Sequence, residues 1–403
     1  MSKFSSNFNN KKAQALFLSL FLFPCLSIAH GLPENGFHGL VVSHLAFQKA
    51  DNKMVRGLEA PTMDDMGNIQ VNPVIADSSG RLQNALIASY THNNWTGTVN
   101  YLDLRSIGDA YSLTNPFSYG VNTFNSYDFP KSIKTVDYLS GIYELNLNYS
   151  NQKNSLTIGK IDTSLHYLSD PVFAGDLTNG VDYGNAATRV VAPPFPSLAV
   201  VGKHYFTEKF SLTMIIGDAF GDREDLDAGK NLAHGDAAYI IEGNYFSPNT
   251  HLQFTLNHID DFNKMDKGVV SHNAATDAAL ITGSHWVDKS FAYFGRIGLS
   301  DGDDVQENLN VVAGMKYKFG KWSVLASQSA TRVAKDQGSS NKGDFTLVSE
   351  LTLNYDVTSS TSVGLMYDHY STTGNVLLAK DGGLNSNNNN NVFGIRFTHF
   401  YKI

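Results

Sequence analysis

The sequence predicts an all-β fold: a transmembrane antiparallel β-barrel of about 16 strands, with short periplasmic turns and long extracellular loops. Three observations carry this expectation. Apolar and polar residues alternate with a period of two in segment after segment, the pattern of a strand with one greasy and one wet face. The segments come in pairs joined by tight turns, while longer stretches separate one pair from the next. And 19 tyrosines, 25 phenylalanines and 34 glycines stand beside only 11 prolines, a balance that suits strands and turns better than helices.

The chain opens on a segment of a different kind. Residues 1–12 are polar and carry Lys3, Lys11 and Lys12 with no acid, residues 13–25 are apolar, and Ser27, Ile28 and Ala29 form a small-x-small end. Basic, apolar and small, in that order, describe a secretory signal peptide. The apolar run falls short of the roughly 20 residues a spanning helix needs. The expected division is therefore a signal peptide over 1–29 and an outer-membrane barrel over 30–403. Cys25, the one cysteine, leaves with the leader, so no disulfide supports the rest. Loss of the three leader lysines takes the formal charge from −8 to about −11. An acidic chain without a basic stripe speaks against nucleic acid as a partner.

The strands follow in order. Residues 39–48 (GLVVSHLAFQ) make the first. Residues 86–90 and 95–104 pair around His92, Asn93 and Asn94. Six further hairpins are 143–150 with 155–162, 198–206 with 210–219, 239–246 with 251–259, 280–286 with 290–299, 310–319 with 322–329, and 345–357 with 362–370. Residues 391–403 (NVFGIRFTHFYKI) are the last strand, with Phe393, Ile395, Phe397, Tyr401 and Ile403 in one register and Gly394, Arg396, Thr398, Phe400 and Lys402 in the other. Pairing of this strand with the first would close the barrel and leave no edge in lipid. Its aromatic end, Phe400 and Tyr401 included, is expected at the membrane interface. Long connections are expected at 49–81, 105–135, 163–197, 221–236, 261–276 and 381–391. Both termini then lie on the short-turn side.

A barrel of this size leaves room for an aqueous lumen, and charges in the inward register belong to that lumen because lipid would not accept them. The pore-lining candidates are Glu144, Lys160, Asp162, Lys203, Glu242, Arg296, Lys316, Glu350 and Arg396, in a register expected to be polar throughout. Selectivity in such a pore sits at its narrowest point. Residues 163–197 are the candidate constriction loop, with Asp170, Asp176, Asp182 and Arg189, and with Pro193, Pro194 and Pro196 to stiffen it. The loop tips 221–225 and 300–304 are rich in aspartate but lack the spacing of a twelve-residue calcium loop. The thirteen histidines are scattered and fit interfacial or lumen positions. No G-x-S-x-G, H-E-x-x-H or P-loop motif is present. The expectation is no enzyme, no cofactor and no metal.

Two stretches resemble carbohydrate-selective porins, the outer-membrane sugar porins. Residues 156–164 (LTIGKIDTS) are similar to the family's Gly-Arg-x-Asp strand through Gly159 and Asp162, with Lys160 in place of the arginine. Residues 291–303 (FAYFGRIGLSDGD) are similar to a later strand through Arg296, Gly298 and Gly302. The likeness extends loosely over 154–319. It implies a sixteen-stranded sugar channel. Lysine at 160 lacks the planar fork that arginine offers to sugar hydroxyls.

The function expected is passive diffusion of small hydrophilic solutes, with sugars implied by the resemblance, across the outer membrane of a Gram-negative bacterium. Outer-membrane lipid and lipopolysaccharide are the surroundings, and monomer and homotrimer are both compatible with the sequence. The alternative is an adhesin or structural barrel that acts through its loops.

Overall fold

The computed structural model describes residues 35–58, 62–63, 69–70, 73–107, 138–163, 166, 170, 172, 196–219, 229–266, 269–302, 307–333, 345–372, 379–380, 383–384 and 390–403. Sixteen of its strands form one closed antiparallel barrel. In chain order these are β1 (Gly36–Leu58), β2 (Pro73–His92), β3 (Trp95–Ile107), β4 (Tyr138–Ser150), β5 (Asn154–Ile161), β6 (Ser197–Tyr205), β7 (Phe210–Asp218) and β8 (Ala237–Phe246). They continue as β9 (Thr250–Ile259), β10 (Thr276–Trp286), β11 (Phe291–Asp301), β12 (Glu307–Phe319), β13 (Trp322–Val333), β14 (Phe345–Asp356), β15 (Thr361–Thr372) and β16 (Asn390–Lys402). Each pairs with its neighbours in sequence, and β1 pairs with both β2 and β16. The closure runs to the last residue, where Ile403 and Gly39 exchange backbone hydrogen bonds of 2.9 and 3.3 Å. Among the described residues no helix is long and apolar enough to cross a membrane.

The tight turns lie at one end. Asn93 and Gly320 take φ of 53° and 60° in two of them, a backbone region open to glycine and tolerated by asparagine. Asn35 accepts the Asn93 N–H at 2.6 Å, which ties the start of β1 to this end.

Two connections differ from expectation. Residues 49–81 were expected to form a long loop, but β1 and β2 continue as a ladder to Leu58 and Pro73, past register shifts after Lys49 and Val55. Backbone pairing persists there without the apolar alternation that marks a strand within the membrane. Residues 261–276 hold a second small hairpin, Phe262–Asp266 with Val269–Asn273. A short helix, α1 (Lys230–His234), sits in the connection after β7.

The wall has two faces of opposite character. Outward side chains are large and apolar, among them Ile158, Val200, Met214, Phe254, Ile281 and Ile297, each 42–59% exposed. Trp95, Tyr149, Phe210, Tyr245, Tyr317 and Trp322 ring the tight-turn end. Outward histidines sit in this ring on cross-strand partners: His204 with Asn154 at 2.7 Å, His285 with Thr250 at 2.8 Å and His399 with Thr361 at 2.9 Å. Such an apolar band with aromatic edges is a surface made for lipid.

The inward face is not polar throughout, as expected from the charged positions alone. It carries apolar patches, one of Leu40, Val42, Ala85, Ile87 and Leu102, another of Ile161, Ala199, Val201, Ile215, Ile240, Ala278 and Leu280. Phe400 belongs to the first patch rather than to the outer aromatic edge. Its parity puts it with Arg396 and Thr398, which are buried, while Phe397 and Tyr401 are exposed.

Candidate functional site

The charged candidates converge inside the barrel because strand parity points every second side chain inward. Glu242 on β8 is 1% exposed and accepts hydrogen bonds from Thr255 Oγ1 at 2.9 Å, Asn244 Nδ2 at 2.9 Å and Gln253 Nε2 at 3.3 Å. Three donors satisfy a carboxylate that burial alone would penalise. Arg296 on β11 is equally buried and donates Nε to Thr282 Oγ1 on β10 at 3.3 Å. Glu350 and Asp368 stand directly opposite each other on β14 and β15, both buried. Arg396 on β16 reaches across β15 to donate Nη2 to Asn354 Oδ1 on β14 at 2.7 Å. It passes over Gly364, where a Cβ would lie 2.7 Å from its Nε and 2.6 Å from Asn354 Oδ1. Only glycine leaves that path open.

Basic groups and aromatic rings meet near the tight-turn end of the lumen. Lys203 Nζ lies 5.2 Å from the Tyr205 ring centre and 5.9 Å from that of Phe246. Lys318 Nζ lies 4.8 Å from the ring of Trp286. All three distances suit cation–π attraction. The inward aromatics were not among the sequence candidates. Their parity with Lys203 and Ser284 was the signal that could have found them.

The segment after β5 enters the lumen. β5 is the shortest strand of the barrel, and Gly159 near its end takes φ of 144°. A Cβ there would collide with the Leu145 carbonyl and lie 2.8 Å from Asn146 Cα. The departure is held by four contacts. Glu144 Oε1 accepts the Asp162 N–H at 3.1 Å, its Oε2 accepts Asn100 Nδ2 at 3.2 Å, Tyr143 donates its hydroxyl to Asp162 Oδ2 at 2.6 Å, and Lys160 donates to the Ile142 carbonyl at 2.9 Å. Lys160 departs from the other candidates: its ladder partners Leu145 and Leu198 face outward, yet it is buried on that carbonyl.

The same segment arrives on the far wall. His166 is buried, and its burial together with the nearby Lys203 ammonium pushes its pKa down to about 4. Asp170 accepts the Val172 N–H at Oδ1, 2.8 Å away, and its Oδ2 lies 3.4 Å from His251 Nδ1 on β9. The His251 ring stacks on Phe246 at 4.4 Å. Val172 is fully buried in a pocket of Ala292, Phe294, Val312 and Leu325, with Trp286 at its edge. Lys316 donates to the Val172 carbonyl at 3.4 Å. These pocket residues come from β11, β12 and β13, while the segment left the wall at β5, so in a sixteen-stranded ring it crosses to the opposite side.

Asp176, Asp182 and Arg189 lie outside the described residues, as do Pro193 and Pro194. The acidic tip 221–225 lies outside them as well, and 300–304 only in part inside. Among the described residues no group of three His, Cys, Asp or Glu side chains is arranged to hold a metal.

No protein-family model and no curated protein matches this sequence. Solved structures do match its shape. OprB of Pseudomonas putida, in a high-pH structure, superposes with a TM-score of 0.60 at 12% identity, over 91% of this chain and 94% of that one. A substituted form of the porin of Rhodopseudomonas blastica gives 0.51 at 11% identity, over 91% of this chain and all of that one. The chain thus has the sixteen-stranded barrel fold that these proteins share.

Proposed function

We propose that this chain is an outer-membrane porin, a water-filled channel through which small hydrophilic solutes diffuse passively. The observation that carries the proposal is the segment from Asp162 to Val172, which leaves one wall of a closed, lipid-faced barrel and docks on the opposite one. A chain folded across the lumen narrows it and sets charged groups at the narrowing, which is how a diffusion pore selects. Glu144, Asp162, Lys203, Glu242, Arg296, Lys316, Glu350 and Arg396 are the pore-lining groups, and Asp170 is the described charge of the constriction. Residues 1–29 are the signal peptide that directs export and is removed. Likeness in shape to a protein named as a porin supports the same reading.

Sugars are the favoured cargo. The support is the resemblance of residues 156–164 and 291–303 to carbohydrate-selective porins, together with rings of Tyr205, Phe246 and Trp286 inside the barrel, apolar platforms of the kind that stack on sugar faces. Planar-bilayer recording of the refolded protein tests both parts. Stable ohmic steps are expected, with block by millimolar maltose or glucose. Steps without block retain the porin and remove the sugar. Absence of conductance overturns the channel and turns attention to the loops as binding elements.

A further inference from the structure

Three strands reach the tight-turn end on the same short pattern. β6 runs out as His204, Tyr205 and Phe206 with Lys209 in the turn beyond, β10 as His285, Trp286 and Val287 with Lys289, and β16 as His399, Phe400 and Tyr401 with Lys402. Strand parity sorts each set: the middle aromatic turns toward the lumen and the histidine faces outward. The apolar residue after it is exposed as well, by 54–62% at Phe206, Val287 and Tyr401.

Each histidine is fixed in the same way. It stands directly opposite a polar residue of the neighbouring strand, Asn154, Thr250 and Thr361 in turn. Nδ1 meets that partner at 2.7, 2.8 and 2.9 Å, so Nε2 is the other polar atom each ring has to offer. His204 sets its ring edge-on to Phe206 with 4.6 Å between centres, and His285 lies 5.3 Å from Tyr293. Three polar rings are thus held among aromatic ones, at the level where amphipathic rings meet headgroups.

Charge at this rim runs against that of the chain, whose formal net is −8. Among the described residues the tight turns carry Lys153, Lys209, Lys289 and Lys321, all exposed, against Glu208 and Asp288. Asp288 Oδ1 is engaged within its own turn, where it accepts the Ser290 and Phe291 N–H groups at 2.6 and 2.9 Å. Lys402 adds an exposed cation at the end of β16. His204 has a second lysine beside it, since the Lys153 carbonyl accepts the Tyr205 N–H at 2.8 Å.

We infer that this rim binds anionic phospholipid, with the lipid phosphate seated between an outward histidine and a turn lysine at His204 and Lys209, His285 and Lys289, and His399 and Lys402. Short turns face the periplasm, and the leaflet on that side of an outer membrane is phospholipid. A lysine stem lies along apolar surface while its ammonium reaches the phosphate. At His285 and His399 a threonine hydroxyl that donates to Nδ1 puts the ring proton on Nε2, where it can bond a phosphate oxygen. Phosphatidylglycerol suits such a rim better than phosphatidylcholine, which brings a cation of its own. The histidines select lipid over a periplasmic polymer, because they stand in the strands, above the turns and among exposed apolar side chains.

Electron spin resonance of the whole barrel in phosphatidylcholine vesicles tests the inference, with spin-labelled phosphatidylglycerol and phosphatidylcholine as probes. At low salt the wild type is expected to retain phosphatidylglycerol about fivefold over phosphatidylcholine, the factor that one lysine near an anionic surface supplies. Lys209→Gln with Lys289→Gln and Lys402→Gln is expected to bring that ratio below about twofold. His204→Gln with His285→Gln and His399→Gln is expected to do the same. Lys230→Gln, in α1 at the far end of the barrel, is expected to keep the wild-type ratio. Equal retention of the two lipids by the wild type overturns the inference, as does a wild-type ratio in the lysine variant. A ratio that the histidine variant leaves untouched overturns the shared seat. Loss of co-sedimentation with isolated peptidoglycan in the lysine variant, with the lipid ratio intact, would assign these cations to the periplasm and overturn it too. Should a triple variant fail to fold, His285→Gln with Lys289→Gln decides, its ratio expected to lie between those of the wild type and phosphatidylcholine parity and an unchanged ratio counting against the seat.

Discussion

Val172→Ala tests the docking of the crossing segment, because Val172 is the residue that the far wall swallows whole. Its side chain is fully buried among Ala292, Phe294, Val312 and Leu325. The other docking contacts are long, 3.4 Å from Asp170 to His251 and 3.4 Å from Lys316 to the Val172 carbonyl, so apolar burial dominates the attachment. Truncation removes two methyl groups, about 1.6 kcal/mol at roughly 0.8 kcal/mol each, before any cost of the cavity left behind. At about 1.4 kcal/mol per factor of ten, the docked-to-undocked ratio falls roughly fifteenfold. Single-channel recording reads this directly. The fraction of time spent at higher conductance should rise on the order of tenfold, and Phe294→Ala should act in the same direction. A folded Val172→Ala protein with unchanged conductance and unchanged noise would show that this pocket does not hold the constriction.

Acid should loosen the same segment. His166 has a docked pKa of about 4 against an ordinary 6.5, so docking is fully stabilised above pH 6.5 and loses on the order of 3 kcal/mol as pH falls toward 4; conductance noise should grow over that window, and His166→Gln should flatten the response. Gly159→Val should prevent correct closure at β5, because a Cβ collides with the Leu145 carbonyl, and the heat-modifiable band should be lost or greatly reduced. Glu242→Leu leaves Thr255, Asn244 and Gln253 without their common acceptor; a loss of about 2–4 kcal/mol should appear in urea unfolding, and Glu242→Gln should recover part of it.

The barrel was legible because its rules are local. Alternation with period two, tight turns and a terminal apolar strand are set by neighbouring residues, and together they place sixteen strands and the outward side of Phe393, Ile395 and Phe397. Phe400 was misplaced because its greasy character outweighed its parity, although parity decides direction in a strand. The apolar patches of the interior were missed for a related reason. Val201, Ile215 and Ile240 look the same in sequence whether they face lipid or line a wall, and only the register shared with Glu242 separates them.

By itself, then, the sequence determined which segments are strands, that the barrel closes on its last strand, and which register carries the charges. It also marked residues after Asp162 as the segment to watch. What only the tertiary structure decided is where that segment lands. The meeting of Asp170 with His251, and of Val172 with Phe294 and Leu325, joins residues that are far apart in the chain and lie across the lumen from β5. The rim histidines likewise meet Asn154, Thr250 and Thr361 as neighbours only through the register of paired strands. Alternation is a property of each strand, whereas contacts across the lumen and along a row depend on closure and stagger, which no single stretch of sequence contains.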